Sequence, residues 1–389
     1  MEEWIKVKLA DCCESISDGD HMPPPKVAAG VPFITISNIK GNQVDLSGTF
    51  YVTQDYYDSL DEKRRPRKGD ILYTVVGTFG IPVLLRDDTR FVFQRHIAIL
   101  RPNNKIDSRF LYYLLLSPTF YRIADQLAIG AVQRTIGLKA LREQEIIIPA
   151  SIIEQRRIAD ILSSIDEKII LNNRINHNLL TIAQSLFDER IADNPTMNSA
   201  FKKGVLTDIA SFLNGIAMQK YPISDAEAGL PVLKIKELGQ GSCDENSDRC
   251  TSTIPEQYII VDGDIIFSWS GTLLVDYWCG GTCGLNQHLF KVSSTSFPGW
   301  FIYFWTKYHL DRFKRIAQDK AVTMGHIRRT DLEQAEVLIP QTPLLRTFDK
   351  EISPLMEEYV QRRIENRRLQ SMRDNLLPQI MSGSFYLTC

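Results

Sequence analysis

Residues 148–187 read IPASIIEQRRIADILSSIDEKIILNNRINHNLLTIAQSLF, and residues 339–381 read IPQTPLLRTFDKEISPLMEEYVQRRIENRRLQSMRDNLLPQIM. Both open with Ile-Pro and neither contains a glycine. In the first, apolar residues recur in steps of four and three, at Ile158, Leu162, Ile165, Ile169, Leu179, Ala183 and Leu186. That is the coiled-coil period. Asn172 and Asn176 fill the two seam positions between, where buried amides fix register at some cost in stability. Ser151 and Glu154 have capping-box spacing. The second stretch offers Thr342 as a cap, Pro343 in the first turn where proline is tolerated, and a less regular seam of Ile352, Leu355, Met356, Tyr359, Ile364, Leu369, Met372 and Leu376. Pro354 is expected to kink this helix or to mark its start. An apolar stripe alone is what any core helix carries. Length argues for more, because forty helical residues reach about 60 Å. Two such helices predict an antiparallel pair.

The sequence around them repeats as well. Gly30-Val-Pro-Phe-Ile-Thr-Ile-Ser matches Gly229-Leu-Pro-Val-Leu-Lys-Ile-Lys, and Lys68-Gly-Asp-Ile-Leu-Tyr-Thr matches Asp262-Gly-Asp-Ile-Ile-Phe-Ser. Val76-Gly-Thr matches Ser270-Gly-Thr, Arg95-His matches Gln287-His, and Phe110-Leu-Tyr-Tyr-Leu echoes Phe301-Ile-Tyr-Phe-Trp. Leu141–Pro149 and Leu332–Pro340 close the two blocks alike. The chain is therefore a tandem duplication. The blocks mix alternating strand-like runs with turns, and Phe110–Leu116 reads as a helix interrupted by Ser117-Pro118. The fold class is α+β: a block at 1–149, a helical region at 150–192, a linker at 193–200, a second block at 201–340, then a second helical region and tail at 341–389. Loops differ between copies, at 21–29 against 219–228 and at 42–66 against 239–255. One scaffold with two loop sets implies two related surfaces that read different things.

Composition bounds the rest. A chain of 389 residues, 44% hydrophobic and 24% charged, suits a soluble protein of two or three domains. No apolar run is long enough for a membrane span, and the start, MEEWIKVKLADCC, lacks the features of a signal peptide. The seven scattered cysteines suit reduced thiols in the cytoplasm. Cys279-Gly-Gly-Thr-Cys283 with His288, Cys243 and Cys250 falls short of a closed tetrahedral set, so no metal is expected. Net charge of −2 means that any phosphate contact must come from local clusters. Phosphate loops, dinucleotide fingerprints, zincin helices and nucleophile elbows are missing from the sequence. Asn194-Pro-Thr-Met lacks the aromatic residue that stacks a flipped base. The chain reads as non-catalytic.

Two basic clusters stand out, Lys63–Lys68 and Arg312–Arg329, each equally a solvated face or a phosphate contact. Twin segments, Ala131–Ile136 and Ala321–His326, put donors at matching places in the two blocks, and Gln and Arg suit adenine and guanine edges. The paired His96 and His288 read first as framework histidines.

This pattern resembles the specificity subunits of type I restriction–modification enzymes. The resemblance covers essentially the whole chain. It is carried by Ile148-Pro149, Glu154-Gln-Arg-Arg-Ile-Ala-Asp-Ile-Leu, Ile165-Asp166, the repeat, and Leu376-Leu-Pro-Gln-Ile-Met-Ser-Gly383. The second copy departs, with Leu345-Arg-Thr-Phe in place of the Glu-Gln-Arg motif. The resemblance implies two target-recognition domains separated by two long antiparallel helices that act as a spacer and dock methyltransferase subunits. It implies double-stranded DNA as ligand, read as two half-sites with an unread gap. Two methyltransferase subunits and restriction/translocase subunits are the implied partners, with S-adenosylmethionine, ATP and Mg held by those partners and none here. Expected DNA contacts are Lys40, Arg64, Arg65, Arg67, Arg95, Gln133, Arg134, Gln287, Lys320, Thr323, Arg328 and Arg329. Arg156, Arg157, Glu167, Arg362 and Arg363 are expected on exposed helix faces that dock partners. Two other readings remain open from the sequence: a protein-binding scaffold, favoured by the small net charge, and a single-chain restriction–methylation enzyme, opposed by the missing cofactor loops.

Overall fold

The computed structural model describes residues 3–22, 24–130, 133–193, 200–224, 227–319 and 325–381. The linker residues 194–199 and the tail beyond 381 lie outside the described residues, as do Lys320 and Thr323. The chain divides into two compact units, Met1–Glu167 with Gln370–Cys389, and Lys168–Leu369. No helix among the described residues is long and apolar enough to cross a membrane.

In the first unit the central element is an antiparallel sheet of four strands, ordered Cys13–Asp18, Ile97–Pro102, Ile71–Thr74, Pro82–Leu84. Ile71–Thr74 is buried at every position, which a strand reaches only when both its faces are covered. Its side chains alternate accordingly. Ile71 and Tyr73 pack into the core beneath the helices, while Leu72 packs into a second core under the sheet Phe50–Val52, Val31–Ile34, Val92–Phe93. This period-two division explains why Gly-Asp-Ile-Leu-Tyr-Thr reads as a continuous apolar run. Trp4–Lys8 pairs antiparallel with Glu145–Pro149 and so ties the ends of the block together.

Helix Ser108–Leu116 starts on Asp107, whose carboxylate accepts from Arg109 N and Phe110 N at 3.0 and 3.2 Å. Ser117 caps the next helix, Pro118–Leu127, accepting from Phe120 N at 3.1 Å. The Ser-Pro step is thus a helix junction, with proline where its missing N–H costs nothing.

The second unit repeats this plan. Its four-stranded sheet runs Ser211–Asn214, Leu289–Ser293, Ile265–Ser268, Val275–Tyr277, and Phe201–Val205 pairs with Glu336–Pro340. Ile265 and Phe267 face the core beneath the helices and Ile266 faces the other, as in the first copy.

The first long helix spans Ile152–Phe187 and the second Thr342–Met381. The second runs through Pro354 without a break and starts at Thr342, so Pro354 is neither its start nor its end. Pro354 is exposed, so the carbonyl one turn earlier, left without a donor, faces water rather than a dry core. Within the second unit the helices are antiparallel. Lys168 lies 3.7 Å from Glu365, and Arg190 lies 3.2 Å from Glu351. Asn172 is fully buried and its Nδ2 donates to Asn366 Oδ1 at 2.8 Å and to Glu365 Oε2 at 2.7 Å. Arg362 Nη1 donates to Asn172 Oδ1 at 2.9 Å. Asn176, one turn on, is equally a seam residue, yet neither atom of its buried amide has a partner among the described residues.

In the first unit the helices meet through Asp166. It accepts from Tyr113 Oη at 2.8 Å and from Arg373 Nη1 at 2.9 Å. Gln155, fully buried, binds Asp107 N through Oε1 and Pro149 O through Nε2, both at 2.9 Å. The Glu-Gln-Arg-Arg motif therefore carries, in its glutamine, the peg that seats the helix on its block.

Candidate nucleic-acid interface

Each unit contains the same cluster of three loops, held by the same backbone hydrogen bonds. In the first, Val75 N donates to His96 O at 2.9 Å, Gly77 N to Arg134 O at 3.0 Å, and Ile136 N to Val75 O at 2.8 Å. In the second, Trp269 N donates to His288 O at 3.4 Å, Gly271 N to Gly325 O at 3.0 Å, and Ile327 N to Trp269 O at 3.1 Å. Gly77 and Gly271 sit at φ values of 71° and 61°, the left-handed region that glycine enters without steric cost. Gln94 N and Asn286 N bind Ile34 O and Leu233 O at 3.0 and 3.1 Å. A turn follows in each copy, closed by Ile97 N to Gln94 O and by Leu289 N to Asn286 O, both 3.0 Å. Gly19 and Gly215 lie against these turns so closely that a Cβ would fall 1.9 Å from Phe93 O and 2.2 Å from Asn286 O.

The frames agree and the side chains on them do not. In the first unit Arg95 is exposed, Gln133 is exposed beside Gly77, and the Arg134 guanidinium lies 5.0 Å over the Phe79 ring, which stacks on Tyr121. Arg134 also pairs with Asp125. Burial and the neighbouring Arg95 push the His96 ring below its ordinary pKa. In the second unit Trp269 Nε1 donates to Asn214 Oδ1 at 2.9 Å, and its ring lies 6.0 Å from His288 and 6.4 Å from His326. His288 Nδ1 is 3.1 Å from Ser270 Oγ, and its Nε2 is 3.3 Å from Gln287 Nε2. The sequence reading missed Trp269 and Ser270. Their signal was the replacement of Val75-Val76 by Trp-Ser within an otherwise matching frame.

The basic run at 63–68 is largely engaged within the protein. Arg64 lies 3.6 Å from both Asp18 and Asp20, and Arg65 binds Asp58 O and covers Tyr57. Arg67 pairs with Glu14 at 2.7 Å. A buried pair, Arg101 with Asp70 at 2.8 Å, anchors the segment by donating also to Glu62 O and Arg65 O. Arg64 and Arg67 tie this segment to carboxylates on and beside the strand Cys13–Asp18, whereas Arg65 binds a carbonyl of its own loop. Lys40 pairs with Asp45 at 2.7 Å and, with Ser47, holds that carboxyl below the usual range. Arg328 and Arg329 are exposed at the start of a short helix.

On the long helices, Arg156 and Glu167 are exposed and Arg157 is half-buried near Glu154. Arg363 does not lie on an exposed helix face. It is largely buried and grips Asp276 through two bonds of 2.8 Å, with a third to Tyr359 Oη. Arg367 makes the same kind of fork on Asp262, and Arg362 belongs to the Asn172 network. The reason is geometric, since a helix face that reads as polar in sequence can still lie against a sheet whose loops carry acids.

The cysteines pack in different places. Cys279 lies in the core under the helices and burial pushes its thiol up to about 11. Cys283 lies in the opposite core beside Cys243, and a thiol hydrogen bond between them raises Cys283 and lowers Cys243. The Cys279-x-x-x-Cys283 spacing therefore places its two thiols in different cores instead of converging on one point. Among the described residues no group of three or more His, Cys, Asp or Glu could hold a metal ion.

Residues 1–181 match the family described as the type I restriction modification DNA specificity domain. The chain is 26% identical to the type I restriction enzyme MjaIX specificity subunit of Methanocaldococcus jannaschii, covering 98% of this chain and 93% of that one. It is 22% identical to the HindI specificity subunit of Haemophilus influenzae, covering 98% and 100%. A crystal structure of the S subunit of a type I restriction–modification system from M. genitalium superposes with a TM-score of 0.59 at 18% identity, over 97% of this chain and 95% of the other. Residues 1–181 are thus similar to DNA specificity domains of type I restriction systems. Over nearly its whole length the chain is similar to type I restriction enzyme specificity subunits.

Proposed function

We propose that this chain gives a type I restriction–modification assembly its DNA sequence specificity, each unit reading one half of a bipartite site. The observation that carries this is the loop cluster built twice on one hydrogen-bond frame with different side chains. A duplicated frame conserves where a reader sits, and divergent side chains change what it reads. Base edges in the major groove would supply sequence, and lysine and arginine on phosphates would supply affinity. The long helices contribute to both units, so helix length would set the unread gap, as spacing does in dimeric repressors.

Methyl transfer and cleavage are assigned to partner chains, two methyltransferase subunits and the restriction/translocase subunits, which would hold S-adenosylmethionine, ATP and Mg. This chain would act without a catalytic centre, in the cytoplasm where its DNA is. The exposed helix face around Arg156 and Glu167 is the proposed docking region. Mapping methylated adenines genome-wide with and without the gene tests the reading. Loss of methylation at one bipartite motif is expected, and an unchanged methylation map would refute it.

A further inference from the structure

Gln94–Ile97 and Asn286–Leu289 are the same turn in two copies. Each begins with a parallel bridge, Asp20 to Gln94 and Ile216 to Asn286, and each closes with a 3.0 Å hydrogen bond. The histidine at the third turn position is retained in both, and its carbonyl accepts from the neighbouring loop. The second turn residue is Arg95 in one copy and Gln287 in the other. Arg95 is exposed and makes no ion pair or side-chain hydrogen bond among the described residues, unlike the arginines at 64, 65 and 67. An arginine left without a carboxylate on a rigid turn is a donor fork awaiting an acceptor pair.

Gln287 is presented differently. An amide NH2 only donates, so His288 Nε2 accepts from it, the ring proton sits on Nδ1, and Ser270 Oγ accepts that proton. This chain of contacts fixes which way the amide points. It leaves Gln287 with one N–H to give and one oxygen to receive.

We propose that residues 95 and 287 are one duplicated base-reading position, with Arg95 selecting guanine in one half-site and Gln287 selecting adenine in the other. The inference rests on the DNA-reading function proposed above. Guanine offers two acceptors, O6 and N7, to the arginine fork, whereas adenine offers N7 and an amino group, which match one donor and one acceptor on glutamine. His288 is a positioning residue that orients the amide.

The test is selection of randomised duplex by the full chain and by R95Q, Q287R and H288F, with thermal melting to confirm that each is folded. R95Q should exchange or lose one guanine in one half-site by about tenfold or more in relative affinity, leaving the other half-site intact. Q287R should do the same to one adenine in the other half-site. H288F should lower the adenine-to-guanine ratio at that base alone. An unchanged sequence preference overturns the inference, as does a change spread over both half-sites, or a parent site with no guanine in the half-site that residues 1–149 read. Should a variant bind too weakly for selection, 7-deazaguanine placed at each guanine of the parent site decides the matter. The parent should lose affinity at one guanine to which R95A is indifferent, and equal sensitivity of the two proteins overturns the inference. A parent chain that selects no sequence removes the DNA-reading function itself, which is a separate result.

Discussion

The two units share a backbone and differ in how their side chains are tied down. In the first, the loop bearing Arg64, Arg65 and Arg67 is stapled to the sheet by acids and by the buried Arg101–Asp70 pair. In the second, the stapling comes from the helix side, through Arg363 on Asp276 and Arg367 on Asp262. The lesson is that charged residues conspicuous in sequence are often structural clamps. On the duplicated turns, by contrast, Arg95 has no side-chain partner among the described residues, and Gln287 uses only part of its amide.

The largest effect expected from this comparison is an exchange of residues 1–149 for the corresponding block of a relative. One half-site should change completely while the other stays, as read by methylation mapping; changes in both would break the idea of separate readers. Next is the gap. Seven residues inserted after Glu167 and seven after Leu369 lengthen each helix by about 10 Å, the rise of about three base pairs. The unread gap should grow by about that number with half-sites unaltered, and an unchanged gap would discredit the helices as spacers.

Clamps come third. Arg363→Ala leaves Asp276 without its partner in a largely buried place and should destabilise the second unit by about 3 kcal/mol. Hydrogen exchange resolved by unit would show it, with the first unit unaffected. A smaller contrast separates the two seam asparagines. Asn172→Leu strands Asn366, Glu365 and Arg362 and should destabilise by about 1–3 kcal/mol, whereas Asn176→Leu removes an unpartnered buried amide and should stabilise by about 1 kcal/mol. Opposite shifts in denaturant midpoint are the expected reading, and equal losses would contradict it.

Smallest is a pH effect, expected to be stronger in the second unit, where His309 is buried, than in the first, where the half-buried His96 is shifted the same way. His309 is buried against Glu336 O, and burial holds its pKa below the ordinary value near 6.5. Because the unfolded chain then takes up the proton more readily than the folded one, stability is intact above about pH 6.5 and falls as pH drops below it. The first unit has Pro118 at the matching place. H309Q should reduce the loss of the second unit's melting temperature between about pH 6.5 and pH 5, above the range where carboxylates titrate, and an unchanged loss in that window would argue against the assignment.

Much of this architecture was legible in the sequence because duplication prints it twice. The Gly-Asp-Ile frame, the paired histidines and the Ile-Pro boundaries mark strands and turns that must recur in the same order. Seam periodicity marked the long helices, although Pro354 misled, since proline on a wet face is tolerated where one in a dry core is not. The site was legible only in outline. Arg95 and Gln287 could be named, but nothing local distinguished Arg95 from Arg64, whose partner Asp18 lies 46 residues away in sequence. The same holds for Arg363 and Asp276, separated by 87 residues. Clamps between distant segments leave no periodic trace.

The central claim is that one chain carries two independent readers, and base-interference mapping on the selected duplex tests it most directly. Purines modified one at a time should weaken binding in two short clusters separated by base pairs where modification has no effect. A single uninterrupted cluster, or uniform sensitivity along the duplex, would contradict it.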